Sequence, residues 1–176
     1  MFLSKRTYVK SWEWTKPEDR YEIAITKGGK PADIRADRIK EVVEQIAYWH
    51  NANAIHRWFV EIAQSGNDDG GEYYVKTEWL RDLLSRCMLV LAGSELTEGE
   101  ITKGYRYVDG KETPIIEAGK VIKDPTTAMT LLPTDDGFGS TEYDEEYLDV
   151  IRCTKDALER LLAEEADGGF YYSATW

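Results

Sequence analysis

The sequence predicts an α+β fold, with about three main helices packed on a small antiparallel sheet and a β-hairpin insertion. Three long segments carry apolar residues at helical spacing, and both ends of the chain are rich in residues typical of strands. Two strand-like stretches flank Asp109-Gly110, a dipeptide typical of tight hairpin turns. With 176 residues, 42% of them hydrophobic and 31% charged, residues 1–176 are expected to form a single domain.

The N-terminal segment is expected to form an antiparallel pair of strands. Residues 2–14 are the first strand-like segment, and a turn at residues 16–19 separates them from residues 21–25. Aromatic residues occupy alternate positions of the first segment: Tyr8, Trp12 and Trp14. Gly28-Gly29 ends the second segment, because two glycines in succession are typical of a turn.

The first predicted helix runs from about Asp37 to Gln64, and helix breakers in residues 65–71 end it. Its first half carries an apolar stripe, which is formed by Ile39, Val42, Val43 and Ile46. On the same face its second half is polar or amphipathic, with Trp49, His50, Asn53 and Arg57. Such a stripe indicates either a helix that passes between two cores or a buried polar site. Helix propensity is modest at residues 50–53, and a break there would scatter the polar groups.

The second predicted helix follows a short extended segment, residues 72–75, and Thr77 is its expected N-cap. One apolar stripe runs along it, formed by Leu80, Leu83, Leu84, Cys87 and Leu91, and predicts a helix packed into the core. Cys87 and Cys153 both fall on apolar stripes of predicted helices. We therefore expect both thiols to be buried without a disulfide, as in a reducing compartment.

Residues 94–125 are expected to form an inserted or peripheral β-hairpin arm. Strand-prone residues 105–108 and 113–116 lie on either side of the predicted turn. The position of this hairpin between two predicted helices suits either a flap over a site or an oligomerisation arm.

The third predicted helix follows a loop at residues 131–141, and Ser140 or Thr141 is its expected N-cap. Acidic residues in its first turn match the positive end of the helix dipole. Its stripe is formed by Tyr143, Tyr147, Ile151, Thr154, Leu158 and Leu161. After Gly168-Gly169, the aromatic residues 170–176 predict a terminal strand that is tied into a sheet.

The charge of the chain restricts its partners. Thirty-three acidic and 22 basic residues give a net charge of -11, which disfavours direct binding to nucleic acid because the overall field repels a polyanion. The same acidity suits either an ordinary acidic protein or a mimic of DNA. No signal peptide or membrane-spanning run is recognisable, so we expect a soluble protein of the cytoplasm with no membrane partner.

The polar half of the first predicted helix is the candidate ligand site. Its residues supply stacking, hydrogen bonds to base edges and anion binding: Trp49, His50, Asn53, His56 and Arg57. Tyr73 and Tyr74 are further candidates for stacking, and the loop before the third helix adds secondary candidates, namely Phe138, Ser140, Thr141 and Tyr143. The alternative is structural, with the His and Asn side chains capping loops and Arg57 pairing with a surface carboxylate.

Metal and nucleophile chemistry lack the expected spacings. His50 and His56 lie six residues apart, so they do not form the i, i+4 pair of a helical zinc site, and no metal is predicted. The sequence contains no nucleophile elbow, phosphate-binding loop or dinucleotide fingerprint. No catalytic residue and no cofactor are therefore predicted, although acid–base chemistry by a His with carboxylates stays open.

Four segments resemble an uncharacterised family of small proteins of tailed bacteriophages, chiefly gut phages. The segments are residues 47–60, which fit AYWxxANAIHxWFV, residues 72–75 with EYYV, residues 139–144 with GSTEYD, and the ending 171–176. The resemblance covers most of the chain except residues 94–125. It implies a phage origin and a setting in the host cytoplasm, and it carries no mechanism or catalytic residue.

These observations predict a phage-encoded ligand-binding protein that is not an enzyme and that sequesters a nucleotide-like signal of host defence, with a homo-oligomer as one possible state. One alternative is an acidic inhibitor or DNA mimic that acts on a host protein. The other is an enzyme that processes nucleotides.

Overall fold

The computed structural model describes residues 1–108, 110–136, 139–164 and 169–175, and it confirms the α+β class. The strands are β1 (Phe2–Tyr8), β2 (Thr26–Lys27), β3 (Lys30–Pro31), β4 (Glu41–Tyr48), β5 (Glu72–Val75), β6 (Leu96–Val108), β7 (Lys111–Ile122) and β8 (Gly169–Ser173). The helices are α1 (Asn53–Ala63), α2 (Thr77–Gly93), α3 (Thr126–Leu131) and α4 (Glu145–Ala163), and short 3-10 turns lie at Pro17–Asp19 and Ala36–Arg38.

The main sheet has four antiparallel strands in the order β4-β1-β8-β5. The terminal strand β8 lies between β1 and β5, with Tyr172 opposite both Leu3 and Tyr73. Side chains alternate across a strand, so Phe170 and Tyr172 point together into the core and are almost fully buried. The prediction that the aromatic end of the chain is tied into a sheet is confirmed.

The segment before α1 is a strand, so the prediction of one helix from Asp37 to Gln64 is wrong for its first half. β4 pairs with β1 from Phe2–Tyr48 to Tyr8–Glu41. Val42 and Val43 are β-branched and suit a strand. Hydrogen bonding to β1 then favours the strand over the helix that the apolar spacing predicts. Of the predicted stripe, Ile46 packs against the core, whereas Val42 and Val43 are 39% and 55% exposed.

The predicted N-terminal pairing is also wrong. β1 pairs with β4 and β8 rather than with residues 21–25. The second segment leads instead into the small β2–β3 hairpin, which turns at Gly28 and Gly29. Both glycines have positive φ, 60° and 76°, a conformation that residues with a Cβ rarely adopt.

Helices α1, α2 and α4 enclose the core, and the predicted stripes of α2 and α4 are largely buried. Asp144 caps α4, since its carboxylate accepts the Tyr147 N–H at 2.9 Å, and it replaces Ser140 or Thr141 in that role. Thr77 is the first residue of α2 rather than its cap. Cys87 is buried, and burial raises the pKa of its thiol to about 12, whereas Cys153 is exposed, which corrects its predicted burial.

The hairpin formed by β6 and β7, called the arm below, confirms the predicted hairpin. Its base packs on the start of α4, where the Ile122 N–H donates to the Tyr143 carbonyl at 2.8 Å, and Ile101 and Ile122 are buried there. Its outer half lies in solvent, with Tyr105 and Tyr107 62% and 77% exposed. The short helix α3 was not predicted. None of the helices in the described part of the chain is long and apolar enough to cross a membrane.

Candidate functional site

The start of α1 is fixed by a buried carboxamide. After β4 the chain turns at Asn51, which has a φ of 53°, and α1 begins at Asn53. The Asn53 amide donates to the Asp135 carbonyl at 2.6 Å, and its carbonyl accepts the Asp135 N–H at 2.7 Å. This two-bond clamp holds the loop after α3 against α1, and Asn53 is only 4% exposed.

His56 lies one turn further along α1 and joins the core to the surface. Its Nδ1 lies 2.6 Å from the Tyr172 hydroxyl, and its Nε2 lies 3.1 Å from an Asp68 carboxylate oxygen. A carboxylate can only accept, so in its neutral form the ring carries its hydrogen on Nε2 and accepts the Tyr172 hydroxyl at Nδ1. Burial, followed by the charge of Asp68, raises the pKa of the Tyr172 hydroxyl, which therefore stays protonated and donates.

Arg57 is the cation of this part of α1. Its Nε donates to Glu61 at 2.9 Å, and its Nη1 donates to the Thr134 carbonyl at 2.7 Å. The hydrogen bond to Glu61 raises the pKa of Arg57 further, so the guanidinium is positive throughout the physiological range. About a third of the side chain is exposed.

These groups line an open cavity of about 300 Å³ on one side of α1, called the α1 groove below. Its described lining is Asn53, His56, Arg57, Val60, Glu61, Gly66, Asp68 and Asp135. Three carboxylates face one guanidinium, so the groove attracts N–H donors and cations more strongly than it attracts polyanions.

The structure brings Asn53, His56 and Arg57 together as predicted, and it separates them from the predicted stacking residues. Trp49 is 5% exposed, and its indole N–H donates to Thr154 at 2.8 Å within the core. The helical phase that linked Trp49 with Asn53 does not exist, because the chain turns between them. His50 lies exposed in that turn.

The two predicted stacking tyrosines of β5 also lie away from the groove lining. The Tyr73 hydroxyl donates to Asp69 at 2.7 Å, which lowers the pKa of that carboxyl, as does the Gly71 N–H. Tyr74 is on the opposite face of the sheet, where its ring packs edge-on against Tyr171. These contacts explain both tyrosines as parts of the sheet and its neighbouring loop.

Two of the secondary candidates line a second cleft, between α1, the arm and the loop before α4. Ser140 lines two adjoining cavities of about 180 and 450 Å³, and Thr141 lines the larger one. Tyr143 accepts the Thr134 N–H at 3.0 Å and stabilises the loop behind them. Phe138 lies outside the described residues. Glu142 borders both cavities, so the field there opposes an anionic ligand.

Sequence reasoning did not assign the carboxylates that complete the α1 groove. Glu61 follows Arg57 at the i, i+4 spacing typical of helical ion pairs, which is a signal that was available. Asp68 and Asp135 lie in loops, and no local pattern links them to α1. Tyr172 was assigned to a strand, and its contact with His56 spans 116 positions of the chain.

Parts of the chain that are far apart in the sequence meet around α1. The clamp and the His56–Tyr172 bond join residues 47–60 to the loop after α3 and to β8. Gly139 approaches so closely that a Cβ there would lie 3.2 Å from the Asn51 carbonyl oxygen, and its φ is 69°. Within the described residues, no group of three or more His, Cys, Asp or Glu side chains is placed to hold a metal ion. The chain matches no protein-family model, no curated protein and no solved structure.

Proposed function

We propose that this chain is a phage-encoded, non-enzymatic binding protein that captures a small nucleotide-like molecule in the α1 groove, in the cytoplasm of the host. The observation that carries the proposal is the groove itself. A carboxamide, an imidazole and a guanidinium from the first turn of one helix face a cavity of about 300 Å³, near the lower end of the usual size for small-molecule sites.

The lining of the groove favours a particular ligand chemistry. Carboxylates of Glu61, Asp68 and Asp135 accept hydrogen bonds from the amino and imino groups of a base. Arg57 supplies a single cation, enough for one anionic group and too little for a polyphosphate. None of the described lining residues is Trp, Tyr or Phe, so polar contacts rather than stacking dominate the expected affinity.

The environment of His56 supports binding rather than catalysis. Both of its ring nitrogens are engaged, one by Tyr172 and one by Asp68. A general base needs a nitrogen within reach of the substrate proton, and Tyr172 is fully buried and cannot meet a substrate. The Tyr172–His56–Asp68 chain is therefore suited to positioning the groove wall.

Calorimetric titration with nucleosides, mononucleotides, cyclic dinucleotides and ADP-ribose tests the proposal. We expect nucleosides or nucleotides with a single phosphate group to bind best, and the Arg57→Ala variant to lose about tenfold or more in affinity, as for a lost charged hydrogen bond. Arg86→Ala is the matched control, because Arg86 also pairs with a carboxylate one helical turn away, donates to a backbone carbonyl and is about one third exposed.

The same titration separates binding from turnover. We expect the ligand to be recovered unchanged by mass spectrometry after prolonged incubation. Equal loss of affinity in the Arg57→Ala and Arg86→Ala variants would remove the site assignment. Conversion of the ligand that stops in His56→Ala would replace the proposal by an enzyme.

A further inference from the structure

The two parts of this chain carry opposite net charge. Residues 1–40 contain ten Lys or Arg and six Asp or Glu, a net charge of +4, whereas residues 41–176 contain twelve and 27, a net charge of -15. Within the N-terminal part, residues 9–40 contain eight Lys or Arg and six Asp or Glu, a net charge of +2, so this segment favours contact with an acidic surface.

The basic part includes a long surface segment, residues 9–40, called the N-terminal excursion below. It connects β1 to β4 and contains only two 3-10 turns and the two-residue strands β2 and β3. Trp12 and Trp14 stack on each other there, with ring centroids 5.3 Å apart and planes 2° from parallel. Their side chains are nevertheless 51% and 77% exposed. Two exposed indoles side by side indicate a surface that a partner covers.

The arm presents a second apolar surface. Residues directly opposite in an antiparallel pair share a face, so the register places Tyr105 with Pro114 and Thr102 with Ile116 on one face. Tyr107 continues this face towards the tip, and Ile116 is 48% exposed. A two-stranded hairpin without a covered face is marginally stable in water.

The same face of the arm is acidic towards its base. Glu98 and Glu100 lie opposite Lys120 and Ala118, which share a face of β7 with Pro114 and Ile116, so both glutamates lie on the face of Tyr105 and Tyr107. Lys120 also lies on this face and pairs with Glu145 at 3.2 Å. These residues together, Glu98, Glu100, Tyr105, Tyr107, Pro114 and Ile116, are called the arm face below. The edges of the arm are poorly suited to pairing with another strand, because Pro114 lacks an N–H and an irregularity between Thr102 and Gly104 interrupts β6.

We propose that the N-terminal excursion of one copy of this chain packs on the arm face of a second copy, and that the contact is reciprocal in a two-fold dimer. In this dimer the indoles of Trp12 and Trp14 contact the tyrosines and Ile116 of the arm face. Lys10 and Lys16 lie near Glu98 and Glu100. A second copy is the occupant because each chain carries one N-terminal excursion and one arm face. A two-fold axis then pairs each excursion with the arm face of the other copy. A nucleic acid would match the lysines and indoles but would be repelled by the remaining charge of -15.

Exposed aromatic side chains supply a large part of the area that a stable dimer needs. Each copy contributes Trp12, Trp14, Tyr105 and Tyr107, which are 51% to 77% exposed. With about 150–250 Å² for a fully buried aromatic side chain, their exposed parts amount to about 400–670 Å². This is at least half of the roughly 800 Å² per partner that is typical of specific interfaces. Packing of each N-terminal excursion on the arm face of the other copy therefore covers both exposed surfaces.

Sedimentation velocity of the full chain at about 100 μM, a concentration at which a contact of even modest affinity is populated, tests the proposal. We expect a dimer at low salt whose dissociation constant rises as sodium chloride is added, and a monomer for the Trp12→Ser, Trp14→Ser double variant. Tyr74→Ser is the matched control, since this tyrosine is also about half exposed but lies on the main sheet. A monomeric wild-type chain, or a dimer that survives the tryptophan substitutions, would overturn the proposal.

A charge exchange makes the test specific for these two surfaces. The Lys10→Glu, Lys16→Glu variant and the Glu98→Lys, Glu100→Lys variant should each be monomeric alone, because each places like charges across the contact. Mixed in equal amounts, they should form a heterodimer in which both contacts again pair opposite charges. If the mixture stays monomeric while both variants keep the wild-type circular dichroism spectrum, the pairing is wrong. Nucleotide binding at the α1 groove is unaffected by either outcome.

Discussion

The α1 region and the arm differ in which side chains they bury. Around α1, polar groups are buried, and Asn53 and His56 are each bonded to partners far away in the sequence. On the arm and the N-terminal excursion, large apolar groups are exposed, with Trp14 and Tyr107 each at 77%. A buried polar group is costly unless it is bonded, and an exposed apolar group gains free energy only when covered. The polar groups of the first region are therefore bonded within one chain, whereas the second leaves apolar surface that the proposed dimer would cover.

The two cysteines give the largest expected contrast between interior and surface. In the native protein at neutral pH, Cys153 should react readily with a thiol reagent, whereas Cys87 should react only through unfolding, because it is fully buried and its thiol has a pKa of about 12. With a folding free energy of about 5 kcal/mol, the difference in rate exceeds a thousandfold. Mass spectrometry of labelled peptides measures it. Similar labelling rates at both cysteines would contradict the placement of α2 in the core.

Two aromatic substitutions compare the core with the arm directly. Phe59 stacks on Tyr172 with centroids 4.0 Å apart and is fully buried, so Phe59→Ala should lower the free energy of unfolding by about 3–5 kcal/mol. Tyr107→Ala on the arm should change it by less than about 0.5 kcal/mol in the monomer. Urea unfolding of both variants, at a concentration where the chain is monomeric, provides the comparison. Equal losses of unfolding free energy in the two variants would mean that Tyr107 is packed against the rest of the same chain.

The clamp at Asn53 is expected to have an intermediate effect. Asn53→Ala removes the hydrogen bonds that the Asn53 side chain makes with the Asp135 N–H and carbonyl. This loss should lower the free energy of unfolding by about 1–3 kcal/mol. Asn67→Ala is the control, because Asn67 is exposed and its side chain contacts only surface groups, Asp69 at 3.4 Å and Tyr73, among the described residues. Thermal unfolding of the two variants separates them. A stable Asn53→Ala variant that still binds nucleotide would show that the clamp does not shape the groove.

The smallest effect should appear at Asp69, on the surface loop before β5. Hydrogen bonds from the Tyr73 hydroxyl and the Gly71 N–H lower the pKa of Asp69. A carboxyl with a lowered pKa in the folded state adds stability above its unfolded pKa and loses it as the pH falls through the folded value. The slight loss should therefore occur at acidic pH, below the ordinary carboxyl range. In the Tyr73→Phe variant the pKa should rise, as an NMR titration of the Asp69 side chain would show.

The parts of the fold that sequence predicts well are those whose signals are local. The hairpin follows from Asp109-Gly110, and α2 and α4 follow from stripes that the core confirms. The first predicted helix failed because Val42, Val43 and Ile46 fit both a helical stripe and a strand rich in β-branched residues. Pairing with β1, about 40 residues away, decides between the two, and no local pattern contains it.

The same distinction applies to the candidate site. Asn53, His56 and Arg57 lie on one continuous helix, so their spacing correctly predicts that they meet. Trp49 lies before the turn at Asn51, where helical spacing no longer applies. The groups that complete the groove come from the loop after α1 and the loop after α3. Their positions depend on long-range contacts such as the clamp, which a single sequence does not reveal.

An NMR titration of the isotope-labelled protein with a nucleoside monophosphate tests the central claim most directly, because it reports binding and its location together. We predict that backbone amide shifts change at Asn53, Arg57, Asp68 and Asp135, that the arm stays unperturbed, and that Arg57→Ala suppresses the changes while Arg86→Ala does not. Shifts confined to the arm or the N-terminal excursion, or no shifts with any of the nucleotides tried, would contradict the assignment of the α1 groove as a ligand site.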